Sequence, residues 1–103
     1  MKKPPQVVEV PVEQQDIDRG RSNSVLQCPI ALAANRLSTR YVWCVGVKVA
    51  GRMTADKDSE EYYSLAADAD QFVHEFDSGA DVQPQTVHLY YSPGARIYYY
   101  GDS

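Results

Sequence analysis

At 103 residues, 44% hydrophobic and 23% charged, the chain is sized for one domain with its own core, and no stretch approaches the ~20 apolar residues of a membrane span. The net charge of −4 is unevenly divided: residues 1–52 carry eight Lys or Arg against four Asp or Glu, and residues 53–103 carry two against ten. A net-acidic domain is a poor general DNA or RNA binder, because nucleic acid attracts basic surfaces through counterion release.

Met1–Pro5 holds two lysines and two prolines and has little to bury, which predicts a disordered N-terminus ahead of a single domain over 6–103. Lys2-Lys3 leads into prolines and not into an apolar run, so no secretory signal is read and the cytosol is the expected compartment. Val7–Val12 alternates as a strand with Val8, Val10 and Val12 on one face, and Pro11, which has no amide hydrogen, marks a sheet edge or the strand's end. Asp16–Gly20 reads as a single helical turn closed by glycine. Arg21–Ser24 is a polar connector with good cap candidates.

The stretch Ser24–Arg36 holds the longest apolar run. Pro29 suits the first turn of a helix that runs to about Leu37, with Ile30, Ala33, Ala34 and Leu37 at helical spacing and Ala31 and Leu32 widening the buried stripe. Asn35-Arg36 suits the last carbonyls of that helix, where a cation opposes the negative end of the dipole. Tyr41–Val49 is the clearest strand: Tyr41, Trp43, Val45, Val47 and Val49 share an apolar face, and Gly46 marks a bulge or a close approach. Ala50-Gly51-Arg52 reads as a turn into a charged connection over 53–61, and Glu60–Leu65 as a short strand.

The next helix starts near Ser64 or Leu65, carries Asp68 and Asp70 in its first turns, and buries Leu65, Ala69, Phe72, Val73 and Phe76. Gly79 in the left-handed position ends it. Gln85–Tyr91 alternates as a strand, Ser92–Ala95 is a turn with Pro93-Gly94 at its centre, and Arg96–Tyr100 returns as a last strand. The order β-α-β-β-α-β-β implies an α+β domain: a small, mostly antiparallel sheet of four to five strands with two helices packed on one face.

Cys28, Cys44, His74 and His88 are the soft metal ligands, and their spacing matches no zinc knuckle, so no metal or cofactor is expected. The cysteines read as two buried thiols without a disulfide. Cys28 at a helix start, where a thiol's pKa can fall, is the candidate nucleophile for a cysteine-dependent enzyme, but no local base accompanies it, and no catalytic residue is assigned. There is no glycine-rich phosphate loop. Five of the eight tyrosines, Tyr90, Tyr91, Tyr98, Tyr99 and Tyr100, fall in the last fourteen residues on two strands joined by one turn, so alternation turns two or three rings outward.

The Cys28-Pro29-Ile30-Ala31-Leu32-Ala33 segment is preceded by Ile17-x-x-Gly20 and followed by Phe72-Val73-x-x-Phe76-Asp77-x-Gly79 and Val82-x-Pro84. In these features the chain resembles, over about residues 16–90, a family of small uncharacterised proteins encoded by bacteriophages and prophages. The resemblance implies a phage setting in a host bacterial cell and supplies no catalytic residues; the Ser92–Ser103 segment departs from the pattern. With size and charge, it leads to the expectation of a non-enzymatic interaction protein that modulates a host process, such as a defence system, by binding a host protein. The expected contact residues are Asp56, Asp58, Glu60 and Glu61 in the acidic stretch and Tyr90, Arg96, Tyr98 and Tyr100 in the C-terminal hairpin, which also offers a homodimer contact. The alternative from another class is a protein that sequesters a nucleotide or similar signal between protomers, with Arg19, Arg21, Arg36 or Arg40 on its phosphates.

Overall fold

A computed structural model describes residues 6–37, 41–46, 48–54 and 60–93. Among them run β1 (Val7–Val12), α1 (Gln14–Arg19), α2 (Pro29–Leu37), β2 (Tyr41–Val45), β3 (Val49–Thr54), β4 (Glu60–Leu65), α3 (Ala67–Asp77) and β5 (Gln85–Tyr91). The strands form one curled sheet in the order β1-β5-β4-β3-β2, with every pairing antiparallel. The chain is thus an α+β domain, as its patterning implies, with a third short helix, α1, where a single turn was expected. The N-terminal five residues and the expected strand Arg96–Tyr100 lie outside the described residues.

In β1 the valines at alternate positions 8, 10 and 12 face the core, and Pro11 is tolerated because β1 is an edge. In α1, Asp16 Oδ2 accepts the Glu13 amide at 2.9 Å, so the third helical residue reaches back to cap the first turn. Gly20 follows with an extended backbone, φ −68°. A Cβ there would lie 2.7 Å from Pro29 Cγ and 2.8 Å from Cδ, so this glycine serves close packing of α1 on the start of α2.

Helix α2 buries Pro29, Ile30, Ala31, Ala33 and Ala34, small residues that let it lie close to the sheet. Its last turn holds the expected cation, Arg36, but the hydrogen bonds of Asn35 and Arg36 go elsewhere than to the helix end. Asn35 and Arg36 reach sideways to opposite edges of the sheet. The Asn35 amide accepts from Trp43 N at 2.7 Å and donates to Trp43 O at 3.1 Å, occupying the outer side of β2. Arg36 donates to Pro11 O on β1 at 3.3 Å and grips Asp16 with Nε at 3.3 Å and Nη2 at 2.8 Å. Val25 O takes the Val45 amide at 2.8 Å, so β2 is shielded at two positions from strand addition.

The expected strand over Tyr41–Val49 breaks earlier, and the expected turn at Ala50-Gly51-Arg52 is the middle of β3. The reversal comes after Val45, where Lys48 adopts φ 64° and Gly46 N bonds Val49 O at 2.8 Å. Val45 then pairs with Ala50, Cys44 with Gly51 and Trp43 with Arg52. The apolar alternation continues in the sequence through this turn, which hides it, while Gly51 and Arg52 have turn-like composition. Arg52 is nevertheless buried, its charge balanced by Glu61 on the neighbouring strand.

Helix α3 begins after Ala66 and ends as expected, with Gly79 at φ 87°. Ala69, Phe72 and Val73 join Val10, Val12, Ile30, Trp43, Val45, Tyr63, Val87 and Leu89 in one core between the helices and the concave face. The loop after α1 is fastened to the end of α3: Ser22 Oγ donates to Phe76 O at 3.3 Å and Asn23 N to Asp77 Oδ1 at 3.0 Å.

Candidate functional site

The helices cover the concave face of the sheet, and strand alternation turns the other residues onto the convex face. There Val7 is 45% exposed, Val42 54% and Tyr90 49%, high values for side chains of this size within strands. Val7 lies directly across from Tyr90, and Val42 from Met53. Between these pairs, Gly51 sits across from Cys44 on one side and Tyr62 on the other. Lacking a side chain, Gly51 leaves a shallow depression of about 70 Å³, walled by Val42, Cys44, Met53, Glu60 and Tyr62. Glu60 accepts a 2.6 Å hydrogen bond from the Tyr62 hydroxyl, which places a carboxylate at the rim.

A polar cluster lies on the same face. Asp68, in the first turn of α3, accepts the His88 backbone N–H at 3.0 Å through Oδ1 and meets His88 Nδ1 at 2.6 Å through Oδ2. His88 Nε2 faces Glu9 Oε2 on β1 at 3.4 Å. The hydrogen bond to Asp68 raises the His88 pKa above its ordinary value, with Glu9 adding to it. Burial pushes the Asp68 carboxyl up, but hydrogen bonds from the His88 ring and backbone outweigh it and hold the group below the usual range. Asp68 therefore does more than face the helix dipole: it joins the start of α3 to β5.

Both cysteines are free thiols. Cys28 is buried, its Sγ accepts the Ala31 amide at 3.4 Å, and burial pushes its pKa up to about 11. The lowering expected from a helix start is overridden by desolvation, and a thiol protonated at neutral pH is a weak nucleophile. Cys44 is half-exposed on the convex face, not buried as expected, and partial burial raises its pKa as well. Among the described residues no three His, Cys, Asp or Glu groups are gathered as metal ligands.

The expected contact residues separate. Tyr90 and Glu60 lie on the convex face. Glu61 points to the concave side and is half-buried against Arg52 Nε. Asp56, Asp58, Arg96, Tyr98 and Tyr100 are outside the described residues. Of the four arginines, Arg19 and Arg21 are exposed at and after the end of α1, Arg36 is engaged by Asp16, and Arg40 is outside the described residues. The open groove between α1 and the segment after α3, about 470 Å³, has Asp18 and Asp81 in its lining and no arginine, which suits a phosphate poorly.

Sequence reasoning missed the environment of Arg52. Its guanidinium lies 4.0 Å from the Tyr41 ring centre and 5.4 Å from those of Trp43 and Tyr63, inside an aromatic enclosure. No clear sequence signal pointed to it, because Gly51 and Arg52 have turn-like composition.

Fold and surface together define a small α+β domain with a curled antiparallel sheet, closed by helices on one side and, among the described residues, uncovered by helices on the other. Comparison of the chain with protein-family models, curated proteins and solved structures returns no match in any of the three. No helix among the described residues is long and apolar enough to cross a membrane.

Proposed function

We propose that this chain is a non-enzymatic interaction protein that docks another protein on the convex face of its sheet. The observation that supports this reading most is the placement of Val7, Val42 and Tyr90 on a sheet face that no helix among the described residues covers, each about half exposed. An apolar, stiff-walled surface of this kind gains free energy when a partner removes it from water, and a tyrosine supplies large contact area at small entropic cost. Glu60 at the rim adds a charge for orientation.

In the phage setting implied by the Cys28–Ala33 segment, the partner is a host protein in the bacterial cytoplasm, and occupying its surface is the mode of action, inhibition of a defence system included. Self-association through the same face is the competing outcome.

The test is native mass spectrometry of the tagged chain purified from a bacterial host, beside a Val42→Lys, Tyr90→Lys double variant. A stoichiometric complex present with the wild type and absent with the folded double variant is expected. A complex that survives both charges would move the contact off this face, and a bare wild-type homodimer dissolved by the variant would replace the host partner with a second copy.

A further inference from the structure

We propose that the cavity at the mouth of the curled sheet binds a small monocarboxylate with a compact apolar body about the size of a benzene ring, with Arg52 as its anchor. The site is on the concave side and goes beyond the protein-docking role assigned to the convex face.

The curl brings the two sheet edges, β1 and β2, toward the same helix, α2. Between them lies a cavity of about 160 Å³, walled by Val8 and Val10 from β1, Tyr41 and Trp43 from β2, and Ala34 and Leu37 from α2. A volume near 150 Å³ with apolar walls is enough to take up benzene. A nucleotide is several times too large, so the cavity selects a compact ligand.

The cation in that lining is Arg52, whose side chain is 8% exposed. A guanidinium carries five N–H donors in a rigid fork, and the bond to Glu61 uses Nε, so it does not consume the two terminal nitrogens. Stacking on Tyr41 at 4.0 Å fixes the plane of the fork before any ligand arrives, which lowers the ordering entropy of binding. A fork of this shape matches a carboxylate. The remaining charges limit the ligand to one negative charge. Glu61 already offsets part of the Arg52 charge, while Glu9, although its residue borders the cavity, turns its carboxylate away toward His88 Nε2 on the other face of the sheet. A dianion such as a phosphate monoester would bring two negative charges to one cation that Glu61 already partly neutralises. Beside the same guanidinium, the Tyr63 hydroxyl is buried without a hydrogen-bond partner among the described residues, a second polar atom left wanting in this part of the core.

The probe is 4-fluorobenzoate, followed by fluorine NMR at millimolar concentration, with fluorobenzene as its uncharged counterpart. Saturable binding of the benzoate, competed by unlabelled benzoate and much weaker for fluorobenzene, is expected. Leu37→Trp places an indole at the half-exposed mouth without touching the buried core, and Arg52→Lys keeps the charge but loses the fork; each should weaken binding about tenfold or more. Circular dichroism establishes that the variants are folded, and Leu37→Trp keeps the test decisive should Arg52→Lys unfold. Absence of saturable binding to the wild type overturns the proposal. So does binding that Leu37→Trp leaves unchanged, or equal affinity for fluorobenzene. None of these outcomes bears on the convex face, whose test uses other residues and another readout.

Discussion

Replacing Asn35 with alanine tests whether one side chain secures the outer edge of the sheet. The substitution removes two hydrogen bonds, 2.7 and 3.1 Å long, and leaves both the N–H and the C=O of Trp43 without them. Trp43 is 3% exposed, so water reaches these groups poorly. A hydrogen bond contributes about 1 kcal/mol net, and a buried group left unpaired costs about 1–3 kcal/mol, so two partly buried groups put the loss near 2–3 kcal/mol. Alanine is the better helix former by about 0.5 kcal/mol, which offsets a fraction. The expected net loss of about 2 kcal/mol lowers the urea midpoint by about 1 M or more for a slope of 1–2 kcal/mol/M. Asn35→Asp keeps the acceptor for the Trp43 amide and loses the donor, and should fall between wild type and alanine. Chemical denaturation followed by Trp43 fluorescence reads the midpoint, and amide exchange at Trp43 should accelerate in the alanine variant. A midpoint within about 0.2 M of wild type would refute the reasoning, since water would then be replacing the amide at no cost.

Gly20→Ala should destabilise by about 1–3 kcal/mol, because the new methyl meets the rigid Pro29 ring and the Asp16 carbonyl, read as a fall in thermal midpoint. Gly79→Ala, in open space at φ 87°, should lose about 1 kcal/mol from backbone strain without any clash. Tyr63→Phe removes a buried hydroxyl that has no partner among the described residues and should be neutral or stabilising by up to about 1 kcal/mol; a marked loss would contradict that reading. The His88 pKa is raised on folding, so its pairing with Asp68 and Glu9 contributes fully below the unfolded value of 6.5 and is lost as pH rises through the higher folded value. The stability gap between wild type and His88→Gln should therefore narrow as pH rises above 6.5 through the higher folded value, and a gap that widens over that rise would contradict the assignment.

The elements governed by local chemistry were legible. Val7–Val12 alternates cleanly, Pro29 fixes a helix start, Gly79 fixes a helix end, and Gln85–Tyr91 alternates between turn residues. The β2–β3 reversal was not, because Val45, Val47 and Val49 keep a strand's period across it, and the residue that takes the left-handed conformation is a lysine without a turn signature. The convex surface was partly legible through Tyr90. Its partner Val7 became apparent from register, which depends on β1 pairing with a strand nearly eighty residues later. Side chains that bridge distant elements, such as Asn35 to Trp43, Arg36 to Asp16 and Asp68 to His88, obey no local period. Their chemistry looked like capping until the topology supplied other partners.

The pairing of β1 with β5 also orders the chain's synthesis. Val7–Val12 is made well before its strand partner in Gln85–Tyr91, so ribosome transit separates the two halves of that ladder. The β2-β3-β4 meander can zip first from near neighbours, whereas closing the long loop to β1 waits, and topologies rich in such distant pairs fold slowly. Until then the valines of β1 can pack only on α2, the helix made soon after them.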